Sequence, residues 1–170
     1  MIGQGGVFKM AKTIDPSMHT AEHLLNRTMV RMFGCRRCFS AHIEKKKSKC
    51  DYRFERPLKA EEIRQIEAMV NDMVAANLPV TESYQDRKAA ESDFDLTRLP
   101  DATEDRIRIV SIGGYDACPC IGSHVSFTGE IGKFRITTTD FADGVLRIRF
   151  KLDLEAATLG SKNQGPEDRL

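Results

Sequence analysis

The chain is organised around the stretch MHTAEHLL, Met18 to Leu25, which contains two histidines four residues apart. Residues at this spacing lie on the same face of a helix, so His19 and His23 can direct two imidazoles at one point. A second stretch about 100 residues later, CIGSH, begins at Cys120 and ends at His124 with the same spacing. Three imidazoles and one thiol form a donor set that suits zinc in number and softness. The sequence therefore predicts a metal site that joins an early helix to a late loop.

The composition is that of one globular domain without a membrane helix. The 170 residues include 41% hydrophobic and 30% charged residues, and the formal net charge is +1. No apolar run approaches the ~20 residues that a membrane-spanning helix needs. The start, MIGQGGVFKMAK, lacks the pattern of a secretory signal, so we expect a cytoplasmic protein whose five cysteines are thiols or metal ligands. A net charge this small excludes a strong global attraction to nucleic acid and leaves only local basic patches.

Two long amphipathic helices are predicted. Asp15 followed by Pro16 favours a helix start, the helix runs to about Phe33, and Gly34 favours its end in a left-handed cap. A second polar segment, which ends near Asn77, carries apolar residues at helical spacing. Those apolar residues are Ile63, Ile66, Val70, Met73 and Val74. A short helix is expected at 86–92.

Strands outnumber helices in the rest of the chain. Alternation of apolar and polar residues predicts an antiparallel hairpin over 38–55. Further strands are expected at about 79–84, 106–112, 133–139 and 144–152. The predicted fold class is α+β, with two long helices packed on a largely antiparallel sheet. We expect an N-terminal arm at 1–14, one domain at 15–156 and a flexible tail at 157–170.

The metal hypothesis has alternatives. The residues argue against a zinc peptidase, because Thr20 stands where the HExxH pattern has glutamate. The pairs Cys35/Cys38 and Cys118/Cys120 could form a closed four-sulfur structural site instead. Two histidines on a helix are also compatible with ordinary hydrogen bonds. For Cys118 the sequence leaves open a ligand or a small buried residue.

A lysine cluster follows the first predicted strand of the hairpin. Lys45, Lys46, Lys47 and Lys49 lie within one short segment. Such runs are common on solvated surfaces, and they also form local contacts to nucleic-acid phosphates. The sequence alone leaves both interpretations open.

Four stretches in this order resemble the editing domain of alanyl-tRNA synthetase and its freestanding relatives, the AlaX proteins. They are HTAEHLL, FSAHI, LKAEEIRQIEAMVNDMVAANLPV and CIGSHVSFTGEIGKFRI. The resemblance covers about residues 15 to 152, and threonyl-tRNA synthetases carry a related domain. The family's commoner loop CGGTH is CIGSH here, so that Ile121 stands where glycine is usual. The family's preceding barrel domain is not found, which corresponds to the short form.

The resemblance implies a function and a set of site residues. The function is hydrolysis of the ester that joins a wrong amino acid, usually serine or glycine, to alanine-specific tRNA. The family's zinc positions correspond to His19, His23, Cys120 and His124, and Ser40 falls where the family has a hydroxyl that contacts the substrate. Given this resemblance, we expect Ser40 and Thr20 to be catalytic and Ser40 to bind the substrate. Alternation places His42 on the Ser40 face, so we expect it to bind substrate as well, and we expect Lys45, Lys46 and Lys47 to contact the tRNA backbone.

Two other function classes remain compatible with the sequence. One is a zinc-stabilised RNA-binding module without turnover. The other is a metal-dependent hydrolase of another small ester or amide. Both would keep the same donor set, so the donor set alone does not separate them.

Overall fold

A computed structural model describes residues 14–97, 99 and 105–154. The predicted tail at 157–170 and all but the last residue of the predicted arm lie outside the described residues. Within these ranges the helices are α1 (Pro16–Phe33), α2 (Ala60–Ala75) and α3 (Arg87–Asp93), with a short 3-10 helix at Thr128–Ile131. The strands are β1 (Ser40–His42), β2 (Ser48–Arg53), β3 (Val80–Asp86), β4 (Arg106–Ile112), β5 (Asp116–Pro119), β6 (Lys133–Ala142) and β7 (Val145–Asp153).

Helix α1 begins and ends where its capping residues predict. The Met18 amide donates to the Asp15 carboxylate at 2.9 Å, which satisfies one of the free amides of the first turn. At the other end, Gly34 has a φ of 63° and its amide donates to the Val30 carbonyl. The helix is buried along most of its length, so its histidines are held inside the molecule.

Helix α2 is tied to the edge of a sheet through side-chain hydrogen bonds of Asn71 and Glu67. The amide of Asn71 donates to the Phe134 carbonyl at 2.9 Å and accepts from the Phe134 amide at 2.9 Å. Ile66 and Val70 of the same helix are fully buried. The helix therefore packs its apolar face inward while Asn71 pairs with β6.

The strands form two antiparallel sheets. The first has the order β1-β2-β7-β6, and the second has the order β3-β4-β5. The predicted hairpin over 38–55 is confirmed, because Ala41 pairs with Cys50 and Ser40 with Asp51. The predicted α+β class is confirmed. The strands are divided between two sheets because no pairing among the described strands joins β3, β4 or β5 to the first sheet.

The main core lies between the two long helices and the first sheet. Its largest fully buried side chains include Leu24 and Met29 of α1, Tyr52 of β2, and Phe134 and Phe150 of β6 and β7. The second sheet adds β5 beside α1, which brings residues 118–124 against the helix face that carries the histidines. Among the described residues, no helix is long and apolar enough to cross a membrane.

Candidate metal centre

Two buried imidazoles of α1 form one half of the site. His19 is 8% exposed and His23 is 3% exposed, and their ring centroids are 5.0 Å apart. One turn of helix separates the two residues, as the spacing predicts. Because α1 is packed into the core on both sides of this turn, the two rings have little freedom to turn away from each other.

The other half of the site is the loop that follows β5. Arg108 of β4 holds this loop, because its guanidinium donates to the carbonyls of Cys120 at 2.9 Å and Gly122 at 2.8 Å. The loop lies against α1 at Gly122, where an added Cβ would meet the His19 ring at 2.3 Å. Ile121, in contrast, is 73% exposed, so the close approach to the helix is made by Gly122.

The two halves bring four donor atoms together. One donor atom each from His19, His23, Cys120 and His124 lies within 4.8 Å of the other three. The Cys120 sulfur is 3.3 Å from Nε2 of His19 and 3.5 Å from Nε2 of His124. Ligands of a tetrahedral zinc lie ~2.0–2.3 Å from the ion, which puts them about 3.3–3.8 Å from one another. The separations of the Cys120 sulfur from the two Nε2 atoms therefore fit a common ion of this size.

Hydrogen bonds at the far side of two rings fix which nitrogen carries the proton. Nδ1 of His19 is 3.1 Å from the Ser123 carbonyl, which can only accept, so this nitrogen carries the proton. Nδ1 of His124 is 3.0 Å from the Thr20 hydroxyl, and that hydroxyl donates to the Pro16 carbonyl at 2.9 Å. The hydroxyl therefore accepts from His124, and both histidines direct an unprotonated Nε2 toward Cys120.

Thr20 is fully buried, and its hydroxyl contacts the Pro16 carbonyl and Nδ1 of His124. Besides His124 and Pro16, it accepts from the Val125 amide at 3.3 Å. This placement favours a role in positioning His124 over the predicted catalytic contact. The predicted contact of Thr20 with the substrate stays a prediction.

His23 lies next to a buried acidic group. Its Nδ1 is 3.7 Å from the Asp116 carboxylate and 3.5 Å from the Cys118 sulfur. Arg37 binds Asp116 through two hydrogen bonds of 2.7 and 3.0 Å, and Arg27 adds a third at 3.0 Å. Asp116 is thus held beside His23 by two cations. Donor atoms of Cys118, His23 and Asp116 lie within 4.8 Å of one another, so Cys118 remains an alternative ligand.

The alternative four-sulfur site is not assembled among the described residues. Cys35 is half-buried and its thiol contacts the Met29 carbonyl at 3.5 Å. Cys38 groups with Glu22 and Cys50, away from the Cys118/Cys120 pair. The two thiols of the C-x-x-C pair lie in different surroundings. Cys35 follows the end of α1 and is half-buried, whereas Cys38 precedes β1 and is buried in the core.

Burial sets the charge state of the loop donors. It lowers the pKa of His124 to about 3, with smaller contributions from His19 and Arg108, so the imidazole is neutral at pH 7. Burial also raises the pKa of the Cys120 thiol. It raises the pKa of Cys118 to about 12. A cation that binds here meets a neutral His124 imidazole and must displace the Cys120 thiol proton.

A cavity of about 1030 Å³ opens beside the donor atoms. His19, His23 and Cys120 form part of its wall, so a ligand in the cavity can reach the cluster. Glu22 and Cys38 add polar atoms from the buried interior, and the Cys38 thiol contacts the Glu22 carboxylate at 3.5 Å. The volume is at the upper end of the ~300–1,000 Å³ typical of small-molecule sites.

The hairpin residues predicted to bind substrate lie at the surface. Ser40 is exposed on β1 and is not among the residues that line the cavity. His42 is exposed, and its Nε2 lies 2.9 Å from the Glu44 carboxylate. Lys45, Lys46 and Lys47 are exposed in the turn between β1 and β2. The roles predicted for these residues stay predictions. The hairpin residues that line the cavity are Cys38, Phe39 and Arg53, and the sequence did not predict this placement.

The fold and the donor cluster define a small α+β domain with a potential metal site in the wall of a substrate-sized cavity. Residues 107–149 match the family model of the threonyl and alanyl tRNA synthetase second additional domain. The match runs from β4 into β7 and includes Cys120 and His124. It confirms the resemblance stated from the sequence. The matched domain suggests a role related to aminoacyl-tRNA editing and implies tRNA as a partner.

Proposed function

We propose that this protein is a zinc-dependent aminoacyl-tRNA deacylase of the cytoplasm, which removes serine or glycine from mischarged tRNA(Ala) in trans. One observation carries the proposal. Four donors from two distant parts of the chain converge at the wall of a cavity, and the loop half of this cluster lies in the segment that matches the editing-domain family. A structural zinc site has no need of an adjoining cavity, whereas a catalytic site requires one.

Zinc fits the donor set better than a harder cation does. Three imidazoles and one thiol are borderline-soft ligands, whereas calcium and magnesium require oxygen ligands. His19, His23, Cys120 and His124 would hold the ion. When bound, zinc would supply a Lewis acid that orients the ester and stabilises negative charge on its carbonyl oxygen.

The protein groups around the cluster keep this arrangement preorganised. The Ser123 carbonyl and the Thr20 hydroxyl hold the protons of His19 and His124 at Nδ1. Such partners orient metal ligands, and their loss commonly costs ~10- to 100-fold in metal affinity or activity. In the cavity interior, the Cys38 thiol and the Glu22 carboxylate offer polar partners to the amino acid of the ester.

The lysine cluster is the proposed contact to the tRNA backbone. Lys45, Lys46 and Lys47 lie on the hairpin whose base, at Cys38 and Phe39, lines the cavity. A phosphate backbone that crosses this hairpin would be contacted by the lysines while its 3′ end enters the cavity. The contribution of Ser40 and His42 to substrate binding is part of the same proposal.

The test is to incubate the full chain with seryl-, glycyl-, alanyl- and threonyl-tRNA, with and without a zinc chelator. We expect release of serine or glycine from tRNA(Ala), slow release of alanine, and loss of activity with chelator that added zinc restores. Binding of tRNA without release of any amino acid would favour an RNA-binding module. Hydrolysis of small esters without release from tRNA would favour another hydrolase, and either result would overturn the proposal.

A variant test separates the site from the fold. His124→Ala removes one donor from the loop, and we expect it to lose zinc and deacylation together while tRNA binding persists. Phe127→Ala is the control, because Phe127 is an exposed residue three positions after His124 and does not line the cavity. Equal activity of the two variants would contradict a catalytic role for the cluster.

A further inference from the structure

An exposed aromatic ring lies under an arginine at the rim of the cavity. The guanidinium carbon of Arg53 is 4.1 Å from the centroid of the Phe39 ring, which is within the range of a cation–π contact. Phe39 is nevertheless 43% exposed, so much of the ring is open to solvent. Both residues line the cavity. A large apolar side chain exposed at a cavity rim indicates a surface that contacts a ligand.

The backbone holds this pair in place. The Phe39 amide donates to the Asp51 carbonyl at 2.9 Å, which extends the β1–β2 ladder by one bond beyond Ser40. Arg53 is the last residue of β2 and pairs with Val145 of β7. The two side chains thus project from neighbouring positions of paired strands, and a ligand that contacts them pays little for ordering the backbone.

The Arg53 guanidinium keeps its charge available for a ligand. Within the described part of the chain, neither Arg53 nor the nearby rim residue Arg36 forms an ion pair with a carboxylate. Arg27 and Arg37, the other two arginines of the cavity wall, are both bound to Asp116. Among the described residues, the cavity wall therefore has two arginines that pair with a carboxylate and two that do not.

The rim and the metal cluster face the same space. The cavity that Phe39 and Arg53 line also contains His19 and Cys120. In an aminoacyl-tRNA the scissile ester is attached to the ribose of the terminal nucleotide, so the terminal base lies one sugar away from the reacting carbonyl. If the ester lies at the cluster, as the proposed function requires, the base must lie elsewhere in or at the rim of this cavity.

We propose that Phe39 and Arg53 form a stacking platform for the terminal adenine base of the tRNA. This inference rests on the proposed function and adds the place where the nucleoside binds. Aromatic rings and guanidinium planes are the usual stacking partners of unpaired bases in proteins that bind single-stranded RNA. The positive charge of Arg53 and Arg36 also favours the phosphates that lead to this base. The exposed side chains of Ile14 and Ile121 extend the apolar rim.

The test uses a tRNA(Ala) transcript that ends in 2-aminopurine, a fluorescent isomer of adenine that is quenched by stacking. We expect quenching with the full-length protein, and loss of quenching with Phe39→Leu and with Arg53→Gln. We expect the two variants to bind the transcript about 5- to 150-fold more weakly. With a transcript that lacks its terminal nucleotide, Phe39→Leu and the unchanged protein should bind equally.

Matched controls exist elsewhere in the chain. Phe127→Leu removes another exposed phenylalanine, which is 46% exposed and does not line the cavity. Arg106→Gln removes an arginine that lies 5.7 Å from the Tyr84 ring, also outside the cavity. Both controls should quench as the unchanged protein does. Phe39→Tyr keeps a ring at the platform and should retain quenching, which separates stacking from a folding defect.

The outcomes distinguish the platform from the proposed function. The platform is overturned if Phe39→Leu or Arg53→Gln leaves the quenching unchanged. It is also overturned if a protein that deacylates tRNA shows no quenching, and both results leave the proposed deacylase intact. The platform is also overturned if Phe39→Leu weakens binding of the shortened transcript as much as binding of the full transcript, because Phe39 would then contact another part of the tRNA. Quenching that depends on both residues in a protein without deacylation supports the platform and overturns the deacylase.

Discussion

The backbone of Gly122 lies against the imidazole of His19, although the two residues are 103 positions apart in the sequence. A Cβ built on Gly122 would meet Cε1 of His19 at 2.3 Å and Nδ1 at 2.6 Å, distances that non-bonded atoms do not reach. Glycine at this position does not have a left-handed φ, so the close approach alone excludes a side chain. The contact sets how near the loop donors come to the helix donors.

Gly122→Ala should therefore disrupt the metal site. The added methyl group must displace either the loop or the His19 ring, and His19 is held by the Ser123 carbonyl on one side and by the packed helix on the other. We expect zinc affinity to fall by at least ~10-fold, measured by competition with a chromophoric chelator. Gly114→Ala is the control, because its Cβ would meet nothing within 4 Å. Full zinc affinity in Gly122→Ala would show that the loop can move away without cost.

Thr20→Val should weaken zinc binding with little change in side-chain volume. The valine keeps the shape of threonine but leaves His124 Nδ1 and the Val125 amide without their acceptor. We expect a ~10- to 100-fold loss of zinc affinity, and recovery of most of it in Thr20→Ser. Thr28→Val is the matched control on the same helix, since its hydroxyl bonds to Leu24 and Tyr115, away from the cluster. If Thr20→Val and Thr28→Val lower the zinc affinity equally, the loss comes from a general disturbance of α1 and not from the hydrogen bond to His124.

The sequence predicts the donor set because helical spacing is local information. The i, i+4 relation between His19 and His23 follows from α1 alone, and the caps at Asp15 and Gly34 are equally local. The convergence with Cys120 is different, because it depends on β5 and on how β4 pairs with it. Strand β5 has four residues and ends in Pro119, so its alternation is too short to predict a strand.

The sequence also could not predict which side of the hairpin faces the cavity. Alternation separates Ser40 and His42 from Ala41, but it does not say which face is covered. In the structure β1 has three residues, and both Ser40 and His42 are exposed. The division into two sheets could not be predicted for a similar reason, because periodicity identifies a strand such as β3 but not the strand with which it pairs.

Cys38 should affect amino-acid selection more than Ser40 does. The Cys38 thiol lines the cavity and contacts Glu22, so a serine hydroxyl in the cavity can meet a polar partner there. We expect Cys38→Ala to lower the ratio of seryl- to alanyl-tRNA deacylation by about 10-fold, and Ser40→Ala to change it less than about twofold. Rates at limiting substrate measure both ratios.

Cys50→Ala is the control for Cys38→Ala. Cys50 belongs to the same buried group as Cys38 and Glu22 but does not line the cavity, so its replacement tests for an indirect effect through packing. We expect the ratio of the two rates to be unchanged in Cys50→Ala. A shift in Ser40→Ala with none in Cys38→Ala would instead assign the selection to the hydroxyl predicted from the sequence.

Neutralising the lysine cluster should weaken tRNA binding without changing the chemistry. Lys45, Lys46 and Lys47 are exposed and lie on the hairpin outside the cavity. In the variant with all three changed to glutamine, we expect weaker binding. We also expect the magnitude of the slope of log K against log salt to be smaller by about 2–3, because binding with fewer phosphate contacts releases fewer counterions. The rate of deacylation at saturating tRNA should stay within about twofold.

The control distributes the same charge loss over other elements. Lys59, Lys88 and Lys133 are exposed on α2, α3 and β6 or at their ends, so their change to glutamine alters net charge equally without touching the hairpin. Binding of tRNA at several salt concentrations, measured by filter retention, compares the two triple variants. Equal slopes would mean that the hairpin lysines act only through overall charge, since a local contact must depend on where the charges lie.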